Sequence, residues 1–130
     1  MIEQTNLVVT QWQYDAPEIH YDEEINISNT ISLDIMKKRA GIKKGMACRF
    51  TCRFFIEKKI ILEYVAEDSY IIDLEDTIDK IELLTMIRNS YSKFNDKFDL
   101  RKLGTLLHNR ALVPLHESSI NIDAILPLLQ

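Results

Sequence analysis

The stretch from Ile25 to Tyr70 constrains this chain more than any other, because its apolar residues recur at every second position. Ile25, Ile27, Ile31, Leu33 and Ile35 fall on odd numbers, with Asn26, Ser28, Thr30, Ser32 and Asp34 between them. Side chains alternate across a strand, so a period of two buries one sheet face and hydrates the other. The pattern returns in Cys48, Phe50, Cys52, Phe54 and Ile56, and again in Ile60, Leu62 and Tyr64. A meander of β-strands is the expected core, and Leu33 is expected to point into it.

The punctuation around this meander sets the remaining elements. A first strand is expected over Leu7–Tyr14, with Val8, Thr10, Trp12 and Tyr14 on one face, and Asp15-Ala16-Pro17 ending it. Strand two runs from about Glu24 to Lys38, with Asn29 a candidate bulge. Gly41 and Gly45 mark a turn, strand three covers Met46 to Ile56, and Glu57-Lys58-Lys59 form a second turn. Strand four covers Ile60 to Ala66, and the polar run Glu67-Asp68-Ser69 is expected to break it before Tyr70-Ile71-Ile72.

From Asp76 the period lengthens. Ile78, Ile81, Leu84, Ile87, Tyr91 and Phe94 recur at three and four, the stripe of an amphipathic helix capped by Asp76 and interrupted at Asn95-Asp96. A second helix is expected over Leu100–Asn109, with Gly104 allowing a close approach. The tail, with Ile120, Ile122 and Ile125 between Pro114 and Pro127, is apolar enough to pack on the body. Strands first and helices after indicate an α+β fold: a four-stranded antiparallel sheet followed by two helices on one face. With 130 residues, the expectation is a single domain spanning 1–130.

Composition removes several function classes. Sixteen Lys and Arg against twenty Asp and Glu give a net charge of −4, which disfavours nucleic acid as partner. No apolar run approaches the ~20 residues of a membrane helix, and Glu3, Gln4 and Asn6 interrupt any signal-like start, so a cytoplasmic location is expected. Cys48 and Cys52 lie on one strand roughly 13 Å apart, too far for a disulfide, and are expected to be buried free thiols. There is no phosphate loop, nucleophile elbow or paired-cysteine metal motif, and His20, His108 and His116 are scattered. The expectation is therefore a non-enzyme that uses no cofactor and no metal.

What remains is surface. Two helices cover one face of a sheet, yet Phe55, Ile61 and Val65 belong to the other. Such a surplus suggests self-association or a binding surface. Trp12, Tyr14, Tyr21, Phe50, Phe54, Phe55, Tyr64 and Tyr70 concentrate in the strand half. They either fill the core or line a groove for extended apolar peptide.

Two stretches resemble the SecB export-chaperone family. Ile120-Asn121-Ile122-Asp123-Ala124-Ile125-Leu126, preceded by Leu112-Val113-Pro114-Leu115, is similar to the family's closing pattern. Ile60-Ile61-Leu62-Glu63-Tyr64-Val65 resembles its apolar strand with a glutamate. Two departures mark a divergent member. Tyr91-Ser92-Lys93-Phe94 stands where the family has Pro-Tyr-Ala-Arg, and the family's polar carboxy-terminal extension has no counterpart before Gln130. The resemblance implies an ATP-independent chaperone for unfolded polypeptides, in protein export or as a dedicated antitoxin chaperone, assembled as a dimer of dimers. Trp12, Tyr14, Phe55, Tyr64, Tyr70 and Ile71 are the candidate client-binding residues. Ile61 and Glu63 match the positions through which the family meets the motor ATPase of the translocase. The alternative is a non-catalytic adaptor or structural subunit with one fixed protein partner.

Overall fold

The computed structural model describes residues 2–18, 26–40, 43–73 and 76–129. Five strands come first: β1 (Ile2–Gln4), β2 (Val8–Tyr14), β3 (Ile27–Ala40), β4 (Lys43–Ile56) and β5 (Lys59–Asp73). A long helix, α1 (Lys80–Arg101), follows, then a tail with a short helix, α2 (Ile122–Ile125), between two tight helical turns at Glu117–Ser119 and Leu126–Leu129. All pairing is antiparallel, in the order β3, β4, β5, and both β1 and β2 lie along the far side of β5. β1 and β2 thus act as one interrupted outer strand. The fold is α+β as expected, with five strands rather than four.

The turn between β4 and β5 needs only Glu57 and Lys58, at φ 55° and 94°. Two successive left-handed residues match the right-handed twist of the strands they join. Gly45 is not in a turn: it pairs with Lys38 and Ile71 inside the sheet. Gly41 lies outside the described residues. Asn29 stays in register opposite Phe54, and the irregularities fall instead between Val9 and Gln11 and between Phe54 and Phe55. The first of these reverses the phase of β2. Val8 turns outward, 58% exposed, while Val9, Trp12 and Tyr14 share the face under the helix.

The acidic run Glu67-Asp68-Ser69 does not break β5. Glu67 points to the outer face and pairs with Arg49 at 2.6 Å. Asp68 points inward and is fully buried. Its Oδ2 accepts from Gln4 Nε2 at 2.6 Å and Ser90 Oγ at 2.7 Å, with Lys93 Nζ at 3.6 Å. A buried carboxylate persists only with such partners, and one of them comes from β1, a strand the sequence pattern did not announce.

α1 is capped by Asp79, whose carboxylate accepts from the Glu82 amide at 2.8 Å. It passes through Asn95 and Asp96 without interruption. Its buried face is Leu83, Met86, Ile87, Ser90, Phe94 and Phe98, whereas Ile81 is 76% exposed. The expected second helix over Leu100–Asn109 does not form. Gly104 takes φ +80°, which stops the helical path, and no atom lies within 4 Å of where its Cβ would sit. Leu100 and Leu103 consequently face solvent, while Leu107 is buried.

Aromatic rings weld α1 to the two middle strands. Phe94 stacks on Tyr64 with centroids 4.2 Å apart, and Phe98 stacks on Phe54 at 5.3 Å. The Tyr64 hydroxyl donates to the Phe94 carbonyl at 3.1 Å. Cys48 and Cys52 lie beneath as free, buried thiols. Burial pushes both up to about 12 from an ordinary value of 9.0, with Asp68 adding to the effect at Cys48.

Two outcomes follow. Phe94→Ala is expected to cost about 3–5 kcal/mol, read as a lower urea midpoint. The thiols favour the native state by staying neutral, a contribution intact below about pH 9 and lost as pH rises from there toward about 12. Labelling with a thiol reagent at pH 8 should therefore track unfolding, and rapid labelling of native protein would contradict this burial.

Candidate binding groove

β3 is the outermost strand on its side of the sheet, and α1 stacks on β4 and β5. The inner-face residues of β3, Ile31, Leu33 and Ile35, are only half-buried. They face the carboxy-terminal segment across a cavity of about 310 Å³. Val113, Leu115, Ile120 and Ile125 form the opposite wall, with Ser32, His116 and Asn121 among the polar groups lining it. Among the described residues β3 pairs with β4 alone. Its other edge therefore offers backbone donors and acceptors beside an apolar trough.

Side chains from β3 and α1 hold the wall in place. The Asn29 amide makes a clasp: Oδ1 accepts from the Val113 amide at 3.0 Å, and Nδ2 donates to the Ala111 carbonyl at 3.4 Å. The Tyr91 hydroxyl donates to the Val113 carbonyl. Arg88 grips Glu117 with both nitrogens, Nη2 donating to Oε2 at 2.8 Å. That contact holds the Glu117 carboxyl below its usual range and raises Arg88. Leu112, Ile122 and Leu129 anchor the same segment into the core.

The candidate client residues do not gather at one surface. Tyr64 and Tyr70 are core residues; Tyr70 donates to the Met86 carbonyl at 2.8 Å and meets Ser90 Oγ at 2.6 Å. Burial pushes both phenols well above their ordinary range. Trp12 is half-buried against Tyr64 and Phe98, with Arg101 5.8 Å from its ring centroid. Tyr14 is half-buried and its hydroxyl accepts from the Leu106 amide at 3.0 Å. These four therefore tie elements of this chain together. Phe55 and Ile71 lie half-buried on the other side of the sheet, away from the helix. Of the two partner residues, Ile61 is 2% exposed. The Glu63 carboxylate is engaged by Arg53 at 2.7 Å and Gln11 at 2.5 Å. It is neutralised in place.

The architecture of this chain matches that of a Mycobacterium tuberculosis SecB-like chaperone, solved in complex with a ChAD peptide from the HigA1 antitoxin. The TM-score is 0.52 at 15% identity, over 88% of this chain and 90% of the other. This chain has a SecB-like fold. A Streptococcus agalactiae protein of unknown function matches more loosely, with TM-score 0.40 and 14% identity over 89% of this chain and 97% of that one. No protein-family model and no curated protein matches the sequence.

In this SecB-like chain the sequence reading had Ile31, Leu33 and Ile35 as inner-face residues. It missed that their strand is the outermost one, which leaves them lining a groove. The signal lay in the strand count: one helix cannot cover the full width of the sheet. The tail residues opposite carried the family resemblance, yet their pairing with β3 depends on Asn29, some eighty residues upstream. Asn29→Ala is expected to cost about 1–2 kcal/mol. It should also speed amide exchange around Val113 while leaving β4 and β5 protected; uniform loss of protection would show a different role.

Proposed function

We propose that this SecB-like chain is an ATP-independent chaperone that holds extended, apolar segments of unfolded polypeptide along β3. One observation carries the reading: a strand edge that pairs with nothing among the described residues and an apolar groove run side by side on the same element. An extended chain that adds to such an edge satisfies its own backbone and alternates side chains into the trough. Burial contributes ~25 cal/mol per Å² of apolar surface before ordering costs, and it depends little on client sequence. The antitoxin peptide on the similarly folded chaperone supports a polypeptide as occupant. Export precursors and antitoxins would be two clients for the same chemistry.

Self-association belongs to the same reading. Ile81, Leu100 and Leu103 are 76%, 72% and 67% exposed on and just after α1. Leu100 and Leu103, at and just after the end of α1, form the surface we assign to a second copy, as in a dimer of dimers. No helix among the described residues is long and apolar enough to cross a membrane.

The test is suppression of aggregation of a reduced, unfolded client, followed by light scattering. Wild-type protein is expected to suppress it near stoichiometric ratio and to form a stable complex. Leu33→Asp puts a charge in the trough on a half-buried outer strand. It should weaken client binding at least about tenfold, with its circular dichroism and cooperative melt retained. A wild-type protein that ignores every unfolded client, while a pull-down yields one fixed partner, would replace this reading with the adaptor.

A further inference from the structure

The apolar groove has a charged neighbour further along the same strand. Where β3 begins, Asn26, Ile27 and Ser28 border an open recess of about 730 Å³ at the end of the sheet. Arg110 and Lys58 reach this recess from two different loops, against one carboxylate, Glu57. Arg110 and Lys58 make no ion pair among the described residues. The loop bearing Arg110 is pinned through its backbone: the Arg110 amide donates to the Leu107 carbonyl at 2.8 Å, and Lys102 Nζ donates to the Arg110 carbonyl at 2.9 Å. A guanidinium on an anchored backbone, with no ion pair among the described residues, is poised for a carboxylate.

The Asn29 clasp separates the two recesses. From Ile27 to Leu33 is six residues, or roughly 20 Å of extended chain. A peptide lying along β3 would span both. Resting on the chaperone reading, we infer that the groove selects extended segments carrying an apolar anchor and, about six residues away, a carboxylate. The anchor fills the trough at Leu33, and Arg110 with Lys58 takes the carboxylate. Six is an even number of strand positions, so both client side chains leave the same face of the added strand. The chain's net charge of −4 does not oppose this at close range. Exposed charges beyond a Debye length of about 8 Å are screened, so the cations at the recess dominate.

The carboxylate can be a side chain or a chain terminus, and the test separates them. Fluorescein-labelled peptides of about fourteen residues carry Leu-Leu in a Ser/Thr background, with Glu, Gln or Lys six residues away, in both polarities. A further peptide ends at that position, as free acid or amide. Binding is followed by fluorescence anisotropy at physiological ionic strength, where the Debye length is about 8 Å. Glu is expected to bind about fivefold more tightly than Lys, the scale of a screened ion pair. Arg110→Glu should reverse that order while leaving the Gln peptide unchanged. A preference for free acid over amide, with no Glu-over-Lys difference, would assign the recess to a chain terminus. Equal binding of Glu, Gln and Lys and of acid and amide, or a preference that survives Arg110→Glu, would overturn the inference and leave the chaperone reading standing. Peptides that do not bind at all would overturn both.

Discussion

A single helix must cover a sheet four strands wide, and the rest of the structure depends on that mismatch. Neighbouring strands lie about 4.8 Å apart and a helix with its side chains is about 10 Å across, so one helix shelters about two strands. α1 settles over β4 and β5, where Phe94 stacks on Tyr64 and Phe98 on Phe54. The flanks need other cover. On one side Trp12 and Tyr14 roll inward under the end of α1 and the turn after it, through Phe98, Arg101 and the Leu106 amide. On the other side the tail folds back over β3. That cover is partial, and the groove is the space it leaves.

The floor and the wall of the groove differ in how they are held. The floor is β3, paired with β4 along its whole length from Ile27 to Ala40. The wall depends on a few polar ties: the Asn29 clasp, the Tyr91 hydroxyl and the Arg88–Glu117 pair. Elements secured by a few polar ties open at lower cost than elements secured by packed rings. A trough with one fixed side and one yielding side can admit side chains of different size, as a binder of many sequences requires. The buried Leu112, Ile122 and Leu129 keep the wall attached as it yields.

Alternation in the sequence was enough to find β3, β4 and most of β5, because each buries one face and hydrates the other. It failed where a residue's partner is distant. Asp68 reads as a strand breaker until Gln4 and Ser90 are placed beside it. Asn29 reads as a bulge until the tail is laid against it. The helix stripe was legible through Ile78, Ile87 and Phe94, which are buried, but it included Ile81, which faces solvent, and passed over Leu83, Met86 and Phe98. The aromatic residues were legible as core or groove but not sorted between the two: Tyr64 and Tyr70 turn inward because their hydroxyls find the Phe94 and Met86 carbonyls of α1. No local pattern says which strand ends a sheet.

The outer face of the sheet explains why affinity would concentrate at β3. There Arg49 meets Glu67 and Arg53 meets Glu63 across the middle strands, with Gln11 extending the second pair onto β2. Charges paired in this way satisfy each other and leave little for a partner to gain. The face is apolar only in places such as Phe55, Val65 and Ile71, which are half-buried between these pairs. The edge of β3 is the opposite case. Fourteen residues of edge strand beside an apolar trough would invite uncontrolled strand addition if nothing used it. Soluble proteins blunt such edges with bulges, brevity or cover, and β3 has a regular register along its length. A long edge that is open among the described residues, next to a groove, is what the proposed reading requires of a working surface, and the neutralised face behind it would keep clients to one side.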